Sequence, residues 1–153
     1  LNAQIILHGV SMGAATVLMA SGEELPENVK AIIADCGYTS EWDEFKCEAN
    51  ALHIPWFPVL NAASVMSKLR DGYDFKQASA LEKVKQSRIP TLFIHGSDDE
   101  LVPYSMLDKL YSAAVCKKEC LTVNGAGHAL SSSVEPELYW NTVESFIEKY
   151  LEK

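Results

Sequence analysis

Basic residues are in the minority in this sequence of 153 residues, because 13 Lys and Arg stand against 21 Asp and Glu and give a net charge of −8. Binding to nucleic acid or to anionic lipid requires a basic surface, so the composition disfavours both functions. Apolar runs of the roughly 20 residues that span a bilayer are also missing, and no membrane segment is expected. The chain begins at Leu1 without a signal segment. A cytoplasmic location is therefore the default expectation, with an upstream signal or anchor left open.

Cysteine is scarce as well, with four residues at positions 36, 47, 116 and 120. None of them forms a Cys-x-x-Cys pair, and no histidine lies at zinc-finger spacing, so the sequence predicts no structural metal site. Free thiols in a reducing compartment are the favoured interpretation, including for Cys116 and Cys120. Neither a metal nor another cofactor is expected.

Short apolar runs alternate with helical patterns along the chain. Strands are predicted at 3–8, 29–34, 91–95 and 119–124, and helices at 11–21, 104–115 and 136–151. Such alternation predicts an α/β fold in which a parallel sheet of about four strands lies between two layers of helices. Residues 41–88 interrupt the rhythm. This segment is either a packed excursion over the sheet or a lid-like insertion beside a pocket, and the two interpretations are compatible.

The segment "GVSMG" places Ser11 between Gly9 and Gly13, after a predicted strand and before a predicted helix. Small flanking residues permit a sharp turn that projects the serine hydroxyl from the end of a sheet. The helix that follows directs free N–H groups at a developing negative charge. Ser11 is therefore a candidate nucleophile, and the competing interpretation is a helix N-cap beside a tight turn.

A serine nucleophile needs a base and an acid that orients the base. The loop after the third strand, "GSDDELVP", supplies three carboxylates, Asp98, Asp99 and Glu100. His128 follows the fourth strand in the glycine-rich segment "NGAGHALS". An acidic loop is more often a solvated turn, and a lone loop histidine is more often a surface residue. The order Ser, acid, His on successive strand ends favours the catalytic interpretation.

Four segments that together cover most of the chain resemble the C-terminal part of the α/β-hydrolase superfamily: "HGVSMGAAT" (8–16), "ADCGYTS" (34–40), "IPTLFIHGSDDELVP" (89–103) and "GAGHALS" (125–131). The resemblance is to its prolyl-oligopeptidase-like and serine-aminopeptidase-like bacterial branch. It implies that Ser11 is the nucleophile, Asp99 the acid and His128 the base. Asp35, which follows the second strand, is the alternative acid.

The same resemblance implies further site residues. The backbone N–H of Met12, directly after the nucleophile, is an expected oxyanion donor, and Tyr38 is expected to line the mouth of the site. The apolar segment "HIPWFPVL" (53–60) is expected to cover the substrate site, with Trp56 and Phe57 as substrate-binding residues, and a self-association surface is the alternative. His8 and His95 each end a strand before a glycine and are interpreted as structural.

The resemblance also has a departure. A complete fold of this kind has strands before the nucleophile strand, and their loops carry a second oxyanion donor. The sequence is accordingly interpreted as one truncated domain, 1–153, with the insertion 41–88 inside it. Weak or absent turnover is expected for this chain alone. A missing N-terminal half, or a homodimer formed through the edges of residues 3–8, is expected to complete it.

Two functions follow as hypotheses. In the first, the chain is a serine hydrolase that cleaves an ester, thioester or amide bond of a small-molecule acyl substrate through a Ser-Asp-His triad and an acyl-enzyme. In the second, it is a non-catalytic remnant of such a hydrolase with a structural or assembly role. Cysteine or metal catalysis has little support, because no cysteine occupies the turn of Ser11 and the histidines are scattered.

Overall fold

The computed structural model describes residues 3–151. Four parallel strands form one sheet in the order β1-β2-β3-β4. Their bounds are β1 Ile5–Val10, β2 Val29–Asp35, β3 Thr91–Gly96 and β4 Lys118–Val123. Each strand lies within a residue or two of the apolar run that predicts it, and the predicted parallel sheet is confirmed.

Helices cover both faces of this sheet. They are α1 Met12–Ala20, α2 Glu41–Ala51, α3 Trp56–Asp71, α4 Ala80–Val84, α5 Ser105–Ala113, α6 Ser131–Val134 and α7 Pro136–Glu148. One apolar core joins α1, α4 and α5 to one face of the sheet, and a second core joins α7 to the other face. The predicted three-layer arrangement is confirmed.

The two central strands explain why the sequence shows apolar runs and not alternation. Ile32 and Phe93 face the first core, whereas Ile33 and Ile94 face the second. All four side chains are at most 1% exposed. A strand covered on both faces buries both sets of its side chains, so it needs apolar residues at every position.

Helices α2, α3 and α4 account for most of the insertion 41–88. Helix α2 begins after Ser40, whose side chain accepts a hydrogen bond from the backbone N–H of Asp43. This cap fixes where α2 starts, and hence which of its side chains lie toward the ends of the strands. Within residues 3–151 no helix is long and apolar enough to cross a membrane. The four cysteines are free thiols.

Candidate active site

Ser11 occupies the tight turn between β1 and α1. Its backbone has φ 54° and ψ −117°, a region that L-residues rarely adopt, and its N–H donates to the carbonyl of Asp35 at 2.9 Å. A Cβ at Gly9 would overlap the carbonyl of Gly13, so the turn can close only with glycine at that position. Backbone strain of this kind persists where surrounding contacts enforce it, and it clusters at functional sites.

His128 lies between the hydroxyl of Ser11 and the carboxylate of Asp99. Its Nε2 is 2.7 Å from Ser11 Oγ, and its Nδ1 is 2.8 Å from Asp99 Oδ2. An ionised carboxylate only accepts hydrogen bonds, so Nδ1 carries the proton and donates it to Asp99. Nε2 is then free to accept a hydrogen bond from the Ser11 hydroxyl, which is the arrangement a general base requires.

Asp99 is held by several donors and is buried. Its Oδ1 accepts hydrogen bonds from the backbone N–H groups of Leu101 and Val102 at 3.0 and 2.9 Å, and its Oδ2 lies 3.3 Å from His95 Nε2. Burial raises the pKa of Asp99, but the hydrogen bonds from His95, His128 and Val102 outweigh it, and the net pKa is lowered. Asp99 therefore stays ionised beside His128 at neutral pH.

Close packing between two loops brings the acid to the base. A Cβ at Gly96 would overlap the carbonyl of Ala126, and that carbonyl accepts a hydrogen bond from the N–H of Asp98 at 3.0 Å. The two other carboxylates of the acidic loop, Asp98 and Glu100, are exposed, and Asp98 pairs with the neighbouring Ser97 hydroxyl. Asp99 alone among the three contacts His128.

Asp35 does not contact His128. Its Oδ1 accepts a hydrogen bond from Ser131 Oγ at 3.1 Å, and it also interacts with Tyr139. Burial raises the pKa of Asp35, and the hydrogen bonds from Ser131 and Tyr139 offset part of that increase. The alternative placement of the acid at Asp35 is therefore not supported by the geometry, because the Nδ1 of His128 faces Asp99.

A cavity of about 160 Å³ opens in front of the Ser11 hydroxyl. Met12, Tyr38 and Leu101 line it together with one face of α2. Met12 is the first residue of α1, so its backbone N–H has no partner within the helix. Met12 and Tyr38 thus lie where the sequence places them, next to the candidate nucleophile.

Trp56 and Phe57 do not line this cavity. Trp56 lines a separate apolar groove of about 360 Å³ between α2 and α3, and Phe57 is 65% exposed. Trp56 packs instead against Trp42 and Phe57. The groove and the Ser11 cavity share the side chains of Phe45 and Glu48 as a common wall. The sequence interpretation therefore placed both residues too close to Ser11, because α3 packs beside α2 and not over the serine.

Sequence interpretation missed two features of the site. Glu41, Glu44 and Glu48 on α2 line the cavity, and their spacing of three and four residues along a helix is the signal that predicts a shared face. His95, interpreted as structural, is fully buried with its Nε2 toward Val102 O at 3.0 Å as well as toward Asp99. It precedes Asp99 by four residues, and no pattern distinguishes it from an ordinary strand-end histidine.

One cluster has the composition of a metal site. Among residues 3–151, Cys36, Asp99 and His128 form the one group of three potential ligands whose donor atoms all lie within 4.8 Å of one another. Burial and the nearby Asp35 carboxylate raise the pKa of the Cys36 thiol to about 12. Metal ions bind the thiolate, so the protonated thiol is a poor ligand, and His128 and Asp99 are already hydrogen-bonded to each other.

The family model for the prolyl oligopeptidase family matches residues 2–153. A Bacillus subtilis (strain 168) relative described as the uncharacterized protein YqkD is 31% identical over 143 residues, which cover 93% of this chain and 47% of the relative. The human alpha/beta hydrolase domain-containing protein 17C is 30% identical over 106 residues, or 67% of this chain and 32% of the human protein. The chain thus spans about half, or less, of the length of these curated relatives.

Solved structures give the same fold. The Pyrococcus furiosus esterase Pf2001 superposes with a TM-score of 0.72 at 18% identity, covering 97% of this chain and 54% of the esterase. The Pyrococcus horikoshii acylaminoacyl peptidase superposes with a TM-score of 0.68 at 18% identity, covering 99% of this chain and 25% of the peptidase. The four-stranded parallel sheet with its flanking helices is therefore that of these enzymes, and the chain belongs to the prolyl oligopeptidase family of the α/β-hydrolase superfamily.

Proposed function

We propose that this chain carries the catalytic triad of a serine hydrolase, which cleaves an ester, thioester or amide bond through an acyl-enzyme on Ser11. The observation that carries the proposal is the continuous hydrogen-bonded path from Ser11 Oγ through His128 to Asp99, at 2.7 and 2.8 Å. Membership of a hydrolase family supports it at the level of hydrolytic chemistry.

In the first half-reaction, Ser11 Oγ attacks the substrate carbonyl carbon while its proton passes to Nε2 of His128. Asp99 stabilises the resulting imidazolium through the Nδ1–H hydrogen bond. Negative charge then develops on the former carbonyl oxygen. The backbone N–H of Met12, at the positive end of α1, is the donor we assign to that oxyanion.

Collapse of this intermediate expels the leaving group, which takes the proton from Nε2 and departs, leaving the acyl group esterified to Ser11. Water then attacks the acyl-enzyme, gives one proton to Nε2, and forms a second tetrahedral intermediate. Its collapse returns the proton to Ser11 Oγ and releases the carboxylic acid. The deeply buried Asp99 and the half-buried His128 keep their hydrogen bond throughout the cycle.

The test is covalent labelling of Ser11 by a fluorophosphonate, followed by hydrolysis of a p-nitrophenyl ester. We expect labelling at Ser11, its loss in Ser11→Ala, and its strong slowing in His128→Gln. Met12 is the one oxyanion donor that we assign among the described residues, and each such donor contributes about 10²–10³-fold to the rate, so slow turnover of this chain is expected. The same assays apply to any longer natural form that contains the chain.

Labelling separates this function from a non-catalytic role. A correctly folded chain that fails to react with the probe, both alone and in a longer natural form, contradicts the proposal and favours the role in assembly. Circular dichroism of the Ser11→Ala and His128→Gln variants provides the control for folding.

A further inference from the structure

Three glutamates line the cavity in front of Ser11. Glu41, Glu44 and Glu48 come from successive turns of α2, and Tyr38 and Phe45 complete this wall. No Lys, Arg or His lies among the described residues that line the cavity. The cavity beside the candidate nucleophile is therefore strongly acidic.

Glu44 is the most informative member of this cluster. It is only 7% exposed, and its Oε2 has no hydrogen-bond partner in the described part of the chain, as is also true of Glu41 Oε2. Burial, together with the charges of Glu48 and Asp99, raises the pKa of Glu44 to about 7. A buried carboxylate is normally paired, so an unpaired one that lines a cavity indicates a missing cationic partner.

Nearby lysines do not supply that partner. The Lys46 ammonium lies over the Trp56 ring at 4.8 Å from its centre, and the Lys76 ammonium lies over the Trp42 ring at 4.3 Å. No ion pair within residues 3–151 includes a glutamate of this cavity. Both ammonium groups lie on tryptophan rings, so neither neutralises the negative charge of the acidic wall formed by Glu41, Glu44 and Glu48.

The spacing of the carboxylates favours an organic cation over a metal ion. Within the described chain, no set of three ligand atoms that includes these glutamates lies within 4.8 Å of one another. A cation attached to a carbon chain needs no such compact set of ligands. It gains from a buried carboxylate and from the aromatic faces of Tyr38 and Phe45.

The lining residues of the cavity favour the acyl side of the candidate nucleophile over the leaving-group side. The leaving group must depart toward His128, which gives it a proton. The cavity is lined by Ser11 and Met12, and His128 is not among its lining residues. A group bound in this cavity therefore belongs to the acyl part of the substrate.

We propose that Glu44, with Glu41 and Glu48 around it, selects substrates whose acyl part carries a primary ammonium group. This proposal rests on the hydrolase function proposed above and assigns to it a substrate class. The ammonium donates to the carboxylate of Glu44, and the acyl chain that links it to the carbonyl carbon runs along Tyr38 and Phe45. The scissile bond then lies at Ser11 Oγ.

The test uses a matched pair of esters, p-nitrophenyl 6-aminohexanoate and p-nitrophenyl heptanoate, in which a methyl group replaces the ammonium. We expect kcat/KM to favour the cationic ester by about tenfold or more, since a charge-assisted hydrogen bond to a buried group has that effect. Glu44→Gln is expected to reduce this ratio by about tenfold. Glu144→Gln, an exposed glutamate on α7, is the control with the same change of net charge.

A binding experiment keeps the proposal testable where turnover is too slow to measure. In the Ser11→Ala variant, 6-aminohexanamide is expected to perturb the amide resonances around Glu44, and heptanamide is not. Equal kcat/KM for the two esters, or an unchanged ratio in Glu44→Gln, overturns the ammonium preference while Ser11 labelling still supports the hydrolase. Absence of 6-aminohexanamide binding also overturns it. Loss of Ser11 labelling is a failure of the proposed function instead.

Discussion

Ser131 Oγ donates a hydrogen bond of 3.1 Å to Asp35 Oδ1, and this contact ties the segment after His128 to the end of β2. Asp35 also accepts a hydrogen bond from the hydroxyl of Tyr139 on α7. The segment that presents His128 to Ser11 is therefore anchored on two elements that carry no member of the candidate triad. We expect Asp35 to act on His128 through this anchor, as a positioning residue.

Asp35→Asn is expected to lower kcat by about 10- to 100-fold, because a small displacement of a base from its nucleophile has an effect of this size. KM for a simple ester should change little. Asp99→Asn is expected to lower kcat by about 10⁴-fold, because the amide favours the wrong tautomer of His128. Asp98→Asn is the control, since the exposed Asp98 side chain hydrogen-bonds with the neighbouring Ser97 hydroxyl and not with His128, and it should stay within twofold of the native rate. Equal losses for Asp35→Asn and Asp99→Asn contradict the positioning role.

Glu44 links the acidic cavity to the stability of the fold. Its pKa of about 7 in the folded chain lies above the ordinary value of 4.5, so folding favours the protonated form. The stability that this protonated form contributes is present below pH 4.5 and is lost as the pH rises toward 7. Glu44→Gln removes this dependence. We expect the variant to match the native chain near pH 4 and to exceed it by about 2–3 kcal/mol at pH 8.

Urea unfolding at pH 4, 6 and 8 measures this difference, with Glu144→Gln as the matched control. A difference that stays constant across the pH range excludes Glu44 as its source.

The substrate preference should depend on pH in the opposite direction to the stability. The ratio of kcat/KM for the cationic ester to that for the neutral ester should rise through pH 7, because Glu44 must ionise to hold an ammonium. Dividing the two rates cancels every pH effect that the two esters share.

Substitution of Trp56 tests whether the apolar groove beside the cavity accepts part of a long acyl chain. The groove shares Phe45 and Glu48 with the cavity, so a chain too long for the cavity can reach the groove along the ring of Phe45. Trp56→Ala is expected to lower kcat/KM for decanoate relative to butyrate esters by about tenfold, since a buried aromatic contact is lost. An unchanged preference, together with a change in molecular mass by light scattering, indicates a self-association surface instead.

Strand β1 forms one edge of the four-stranded sheet in the described chain. Ile5 is 39% exposed at this edge, and an uncovered apolar edge favours pairing with another strand. We expect a two-fold dimer with antiparallel β1 edges at micromolar concentration, and Ile5→Lys is expected to shift it toward monomer. Light scattering measures the molecular mass of the native chain and of the Ile5→Lys variant. A native chain that is monomeric at these concentrations contradicts the prediction. The control for added charge is His53→Lys, which changes a residue far along the sequence from β1.

The four strands and their parallel arrangement could be predicted from the sequence because β2 and β3 are buried on both faces and appear in it as apolar runs. The residues of the candidate triad could be predicted from the sequence for a related reason. Ser11, Asp99 and His128 each follow a strand of a parallel sheet, and such strands end at one edge. Strand position alone therefore predicts their convergence.

The acidic wall and the position of Trp56 did not follow in this way. Both depend on how α2 and α3 pack across the ends of the strands, and contacts distant in sequence decide that packing. The spacing of Glu41, Glu44 and Glu48 predicts a shared helix face, but not that this face lies against Ser11. The family resemblance assigned Asp99 as the acid over Asp35, whereas the loop contact between Gly96 and Ala126 that holds Asp99 near His128 is encoded by no local pattern.

The overlap that a side chain at Gly96 would make with the carbonyl of Ala126 has a consequence for protein engineering. The loop that carries Asp99 and the loop that carries His128 share one interface without room for a single added carbon. Grafting either loop alone from a relative replaces one half of that interface and separates the acid from the base. Recombination of this chain with its relatives should therefore exchange residues 96–101 and 123–128 as one module.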